Sequence, residues 1–191
     1  MYFPLFLDLS EKEILVVGAG TIASRRIRAL CGFAGQITVV ALKVPMEFGS
    51  RVSPDGLDFR KKSGRERENT GEIAEYGIPI GDMEIAGTRL IVFEKPFAES
   101  DLNQKDFVLA ATDDAGLNAR IGALCQAREI PVNVCTDAKQ CDFQFPSIVE
   151  DGAVVIGINA SGTDHRLVKE TRQRIERLFE DDDFRSRYEN G

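Results

Sequence analysis

The sequence predicts an α/β protein: a parallel sheet with helices on both faces, followed by a small β-hairpin and a C-terminal helix. Three observations predict it. Short continuous apolar runs such as ILVV (residues 14–17), ITVVAL (37–42) and FVLAA (107–111) have the pattern of strands covered on both faces. Segments with helical spacing of apolar residues alternate with them. After Cys135 the pattern changes to two short strands around Glu150-Asp151-Gly152 and then to an amphipathic helix.

Taken in order, residues 2–9 (YFPLFLDL) read as a short extended segment packed on the sheet edge, where Pro4 is tolerated. Residues 10–13 are a turn, and residues 14–17 are the first strand. The helix that follows reaches to about Phe33, with Ile22, Ala23, Ile27 and Leu30 at helical spacing and Arg25, Arg26 and Arg28 projecting elsewhere. Gly32 and Gly35 end it. Residues 37–42 are the second strand. Residues 44–80 form an atypical polar insertion, within which RKKSGREREN (60–69) reads as an exposed segment or, alternatively, a basic flap over an anionic ligand. Apolar pattern returns at 76–80 and at 88–94, the latter the third strand, and residues 97–104 form a short helical turn. Residues 107–111 are a strand ending in Thr112, Asp113 and Asp114. Asp114 is placed to cap the helix at 115–128. Residues 130–135 are the next strand, with Pro131 at its start. Residues 145–149 and 153–158 form the hairpin, and residues 165–181 the last helix, carrying Leu167, Val168, Ile175, Leu178 and Phe179. This gives a dinucleotide-binding domain over 1–135 and a hairpin-plus-helix region over 136–191.

The stretch that organises the chain is Gly18-Ala19-Gly20-Thr21-Ile22-Ala23, a G-x-G-x-x-A sequence between a strand and a helix. Gly18 allows a tight turn, Gly20 lets a pyrophosphate approach the backbone, and Ala23 lets the helix pack close to the strand. The helix N-terminus, with Thr21 and Ile22, offers N–H donors to phosphate. In that context the motif predicts a Rossmann-like nucleotide site. Thr112, Asp113 and Asn118 lie at the carboxyl end of the sheet, where open α/β sheets bind ligands. The acid that usually holds the ribose hydroxyls after the second strand is missing, because that place reads Val40-Ala41-Leu42-Lys43. Lys43 either faces a 2′-phosphate or is a solvated lysine.

Hydrophobic residues are 43% and charged residues 29%, as in ordinary globular proteins. A net charge of −7 disfavours nucleic acid as a partner. No apolar run is long enough to span a membrane, and the short apolar start lacks a basic region, so a cytoplasmic location is expected. Four cysteines without a C-x-x-C pair, and one histidine, argue against a structural metal site. Cys31 and Cys125 read as small core residues.

The segments LFLDL, ILVVGAGTIASRR, VLAATDD and PVNVCTDAKQCDFQFPSIVEDGAVVIGINASG, in that order, closely resemble the precorrin-2 dehydrogenases, the N-terminal module of siroheme synthases. NVCTDAKQCDFQFP is the least generic part. The likeness runs from Tyr2 to about Arg177 and fails between Val44 and Ile80. It implies oxidation of precorrin-2 to sirohydrochlorin with NAD, and a homodimer in which residues 143–158 exchange contacts with the partner subunit. It also implies iron or cobalt insertion in some members. The aspartate that serves catalysis in the resembled family falls at Thr136 here. Asp137 is expected to take the role, with Asp142 second and the lone His165, at a helix start, third. Arg25, Arg26, Arg166 and Lys169 are candidates for the carboxylates of the tetrapyrrole. A bifunctional dehydrogenase and ferrochelatase, and a binding module without catalysis, are the competing readings. Members of the resembled family usually continue into a further helical region that helps cover the substrate, and a shorter cover is the expectation here.

Overall fold

Residues 14–17 pair on both sides, and that puts them at the centre of a sheet. The computed structural model describes residues 3–53, 79–162 and 164–180. Strand β1 (Glu13–Val17) runs parallel to β2 (Gln36–Ala41) on one side and to β5 (Phe107–Ala110) on the other. Beyond β2 lies β4 (Thr88–Glu94), and beyond β5 lies β6 (Val132–Val134), both parallel to their neighbours. With β3 (Gly81–Ile85) at the edge beyond β4, the six-stranded order is β3-β4-β2-β1-β5-β6.

One edge of this sheet differs from the expectation of an all-parallel array. Strand β3 (Gly81–Ile85) pairs antiparallel with β4 through a tight turn at Ala86 and Gly87. Both turn residues have positive φ, 51° and 84°, as a type I′ hairpin turn requires. The expected third strand is therefore the fourth in chain order. A short helix, α2 (Phe48–Val52), also forms with Phe48 and Val52 buried.

Helix α1 (Thr21–Leu30) connects β1 to β2, and α3 (Ala115–Ala127) connects β5 to β6. The sheet grows in opposite directions from β1, so right-handed crossovers put the two helices on opposite faces. Leu15, Val17, Val108, Ala110, Val132 and Val134 pack with Ile121 and Cys125 of α3 in one buried cluster. By strand alternation Ile14 and Val16 face the other way, toward the side on which α1 buries Ala23 and Ile27. Each fully buried Leu or Ile contributes about 1.5–3 kcal/mol.

The apolar start is not packed on the sheet edge as expected: Phe3, Leu5, Phe6 and Leu7 are all exposed. The close approach comes at Leu9 and Ser10, where the Leu9 carbonyl accepts from Gly35 N–H at 2.8 Å. A Cβ on Gly35 would stand 2.4 Å from the Ser10 carbonyl oxygen, so only glycine fits there.

The chain divides into two compact units, residues 7–143 and residues 1–6 with 144–191. In the second unit β7 (Ser147–Asp151) and β8 (Val154–Ile158) form an antiparallel hairpin, and α4 (His165–Glu180) packs on β7. Asp164 caps α4, its Oδ1 accepting from Leu167 N–H at 2.8 Å. The expectations for residues 54–78 and 181–191, including the charged 60–69 stretch, lie outside the described residues.

Candidate functional site

The carboxyl ends of β1 and β5 are the point where the strand order reverses, and the glycine motif lies there. Gly18 has φ +115°, and a Cβ on it would fall 2.4 Å from the Ala111 carbonyl oxygen. The turn therefore hugs the end of β5, and a side chain at Gly18 would drive the two apart. Its N–H extends the β1–β2 ladder to the Val40 carbonyl at 2.8 Å. Gly20 is different. Its φ is −75°, it is exposed, and a Cβ there would meet nothing within 4 Å. It is also the N-cap of α1 and supplies no side-chain cap. A helix opening without a capping oxygen presents its first-turn amides and the positive end of its dipole outward. An anionic diphosphate fits that arrangement. Ala23 is fully buried, as close packing of helix on strand requires; Thr21 and Ile22 are exposed beside Gly20.

After β5, Thr112 and Asn118 bind each other. The buried Asn118 accepts from Thr112 N–H at 3.1 Å and Thr112 Oγ1 at 2.7 Å, and donates through Nδ2 to the Thr112 carbonyl at 2.9 Å. The same Nδ2 reaches Thr136 Oγ1 at 3.4 Å. Asn118 thus ties the end of β5 to the turn after β6. Asp113 is exposed next to this clasp, and Asp114 caps α3 through Leu117 N–H at 3.0 Å. After β2, Leu42 and Lys43 are both exposed.

Asp137 begins the short 3-10 turn Ala138–Gln140 just after β6. Its carboxylate accepts from Lys139 N–H at 2.9 Å and from Gln140 Nε2 at 3.0 Å. These two hydrogen bonds, the backbone one first, hold it below the ordinary aspartate value of 3.8. Thr136 is exposed beside it. Asp142 is elsewhere: its Oδ2 accepts from Val132 N–H at 2.8 Å, at the amino end of β6, and the Cys141 sulfur accepts from Val134 N–H at 3.2 Å. Together they cover the outward amides of an edge strand, which would otherwise be open to strand addition.

Arg26 projects from α1 to the opposite face of β6. It donates to the buried Asn133, whose Nδ2 donates to the Phe143 carbonyl at 2.7 Å. Phe143 packs edge-on against Phe107, with ring centroids 5.8 Å apart. Burial lowers the pKa of Arg26. Arg25 remains exposed. Burial also pushes the Cys31 thiol up to about 11 and the Cys125 thiol to about 12, and raises Cys135 and Cys141. All four thiols are therefore protonated near neutrality and are poor nucleophiles. Cys125 is a core residue as expected, whereas Cys31 is half-buried.

In the other unit, His165 and Lys169 are exposed on the first turns of α4, and Arg166 pairs with Glu170 at 2.7 Å. Among the described residues no three His, Cys, Asp or Glu side chains gather as a metal site, and no helix is long and apolar enough to cross a membrane.

Residues 5–147 match the model of the NAD(P)-binding family NAD_binding_7. The chain belongs to that family. This NAD(P)-binding chain is 31% identical over 175 residues to a siroheme synthase of Ruthia magnifica, with 92% of this chain and 30% of the relative covered. It is 30% identical over 178 residues to a siroheme synthase of Sodalis glossinidius (93% and 31% covered), and 31% identical over 177 residues to one of Psychrobacter (93% and 30%). It spans about 30% of the length of these curated relatives. Among solved structures, SirC, a precorrin-2 dehydrogenase, shares the fold with TM-score 0.59 and 24% identity, over 92% of this chain and 70% of that one.

Proposed function

We propose that this NAD(P)-binding chain oxidises precorrin-2 to sirohydrochlorin with NAD, in siroheme biosynthesis. The observation that carries the reading is the shared edge on which the uncapped α1 opening at Gly20 and the Thr136–Asp137 turn both lie. The likeness to siroheme synthases and the fold of SirC support it. When bound, the nicotinamide accepts a hydride from the macrocycle. The chain's own residues do the rest. The amides after Gly20 hold the diphosphate. Asp137 takes the proton that leaves carbon, and its lowered pKa keeps it ionised at neutral pH. The exposed Arg25 meets a substrate carboxylate, while Arg26, already bound to Asn133, ties α1 to β6. The protein works in the cytoplasm as a homodimer joined through the hairpin region.

The test is to incubate the protein with precorrin-2 and NAD and follow the absorption spectrum and NADH, then add Fe²⁺ or Co²⁺. Dehydrogenation yields NADH and the sirohydrochlorin spectrum. Asp137→Ala slows it on the order of 10²–10⁴-fold, whereas Asp142→Ala leaves the chemical step in place. Unchanged turnover in Asp137→Ala overturns the assignment of the base. A second reading, a binding module without catalysis, is favoured by Thr136 at the position where the resembled family has its aspartate. Cofactor binding with no NADH formed would establish it.

A further inference from the structure

Helix α3 meets the turn after β6 at two points on one of its faces, since residues four apart in a helix lie one above the other. At the first, Asn118 Nδ2 reaches Thr136 Oγ1 at 3.4 Å. At the second, Gly122 leaves room for the side chain of Gln140. A Cβ on Gly122 would stand 3.2 Å from Gln140 Oε1 and 3.0 Å from Val134 Cγ2. The other end of that amide donates through Nε2 to Asp137 Oδ2 at 3.0 Å. Chemistry dictates this orientation, because an ionised carboxylate only accepts. Other bonds of Asp137 stay close to it in the chain. Its Oδ1 accepts from Lys139 N–H at 2.9 Å, and its carbonyl accepts from Gln140 N–H at 3.2 Å and from Cys141 Sγ at 3.4 Å. Those bonds fix the carboxylate relative to its own turn. The Gln140 side chain braces it against α3.

We propose that Gln140 is a positioning residue for the dehydrogenation: seated on Gly122, its amide fixes the direction in which the Asp137 carboxylate faces the substrate. The inference rests on Asp137 being the base, as proposed above. Glycine at 122 belongs to the same device, because a larger residue there would crowd the amide off its seat.

Gln140→Met keeps the length of the side chain and removes the donor, and its two effects have opposite signs. Lys139 N–H and then Gln140 hold Asp137 below its ordinary 3.8, so losing the second bond lets it titrate higher. Lys139 is the charged neighbour that remains, and Cys141 stands by as a neutral thiol. Greater basicity alone would raise kcat, whereas lost position lowers it. The full chain is assayed with precorrin-2 and NAD, and the Asp137 carboxyl carbon is titrated by NMR. In Gln140→Met the carboxyl titrates higher, kcat falls on the order of tenfold, and KM and NADH affinity hold. In the Asp137→Ala background the same change has no further effect on kcat. An unmoved Asp137 titration, or a kcat that holds or rises, overturns the proposal. So does a fall repeated in full in the Asp137→Ala background or matched by a loss of NADH affinity, the mark of a merely structural glutamine. Asp137→Ala with wild-type turnover, or a wild type that forms no product, removes the base assignment and this inference together.

Discussion

At the amino edge of the six-stranded sheet, charged side chains stitch the strands together; at the carboxyl edge, glycines and main-chain groups stand open. Glu13 begins β1 and accepts from the buried Lys105 at 3.1 Å and from Gln36 Nε2 at 2.7 Å. Asp106 accepts from Lys12 at 3.0 Å and from the Glu13 N–H at 2.9 Å. Arg89 pairs with Asp82 at 3.1 Å and reaches Gln36. Thr88, fully buried, links the Gly32 amide to the Ala34 carbonyl. The carboxyl edge has instead Gly18, Gly20, exposed Leu42 and Lys43, and the Thr112–Asn118–Thr136 clasp. Side chains that satisfy one another leave little for a ligand, and backbone donors without side-chain caps leave much. The two edges of the same sheet thus differ in how far their polar groups already satisfy one another.

Substitutions can break or sharpen this contrast. The largest effect is expected at Gly18→Ala, where a positive φ and contact with the Ala111 carbonyl add to each other. The cost is about 2–4 kcal/mol, read as a fall in the denaturant midpoint; an unchanged midpoint would mean the turn is far softer than its geometry. Gly20→Asp is the complement: there is open space and an ordinary φ, so the melting temperature holds while NADH affinity falls by an order of magnitude or more. Retained affinity would move the diphosphate away from α1. At the amino edge, Lys105→Met removes the buried partner of Glu13 and lowers stability by about 1–2 kcal/mol without touching nucleotide binding. A matched loss of binding would erase the contrast.

The smallest effect is a pH dependence. The Glu13 N–H, and then Lys12, hold Asp106 below its ordinary 3.8. A depressed carboxylate pKa adds stability that is complete above the unfolded value and is lost as pH falls through the folded one. Melting temperature against pH therefore loses part of its acid limb, below about pH 4, in Asp106→Asn. The partial exposure of the pair keeps this effect small. A curve identical to the wild type would show that the bond is not made in solution.

Much of this was legible before the structure. Continuous apolar runs reported β1, β2, β4 and β5, because a strand covered on both faces leaves no alternation to misread. The glycine turn, the cap at Asp114 and the hairpin around Gly152 were equally plain. Strand β3 was not: GDMEI alternates polar and apolar over too few residues, and its hairpin turn carries Ala86 where asparagine would have signalled it. Roles that depend on contacts between distant segments were also hidden. Asn118 could be read as a residue near the site, but its use as a clasp needs the Thr112 and Thr136 ends side by side. Asp142 looked like chemistry and sits on the Val132 amide. Arg26 read as a candidate for substrate carboxylates and is bound to Asn133.

The Asn118 clasp has a consequence for how the edge behaves in time. One amide group binds the end of β5 through three hydrogen bonds and the β6 turn through a fourth. The two ends therefore do not fluctuate independently. A molecule that quiets Thr112 also quiets Thr136, and with it the residue next in the chain. Occupancy on one side of the crevice would thereby slow the backbone of the other, so that the site becomes ordered as a unit rather than loop by loop.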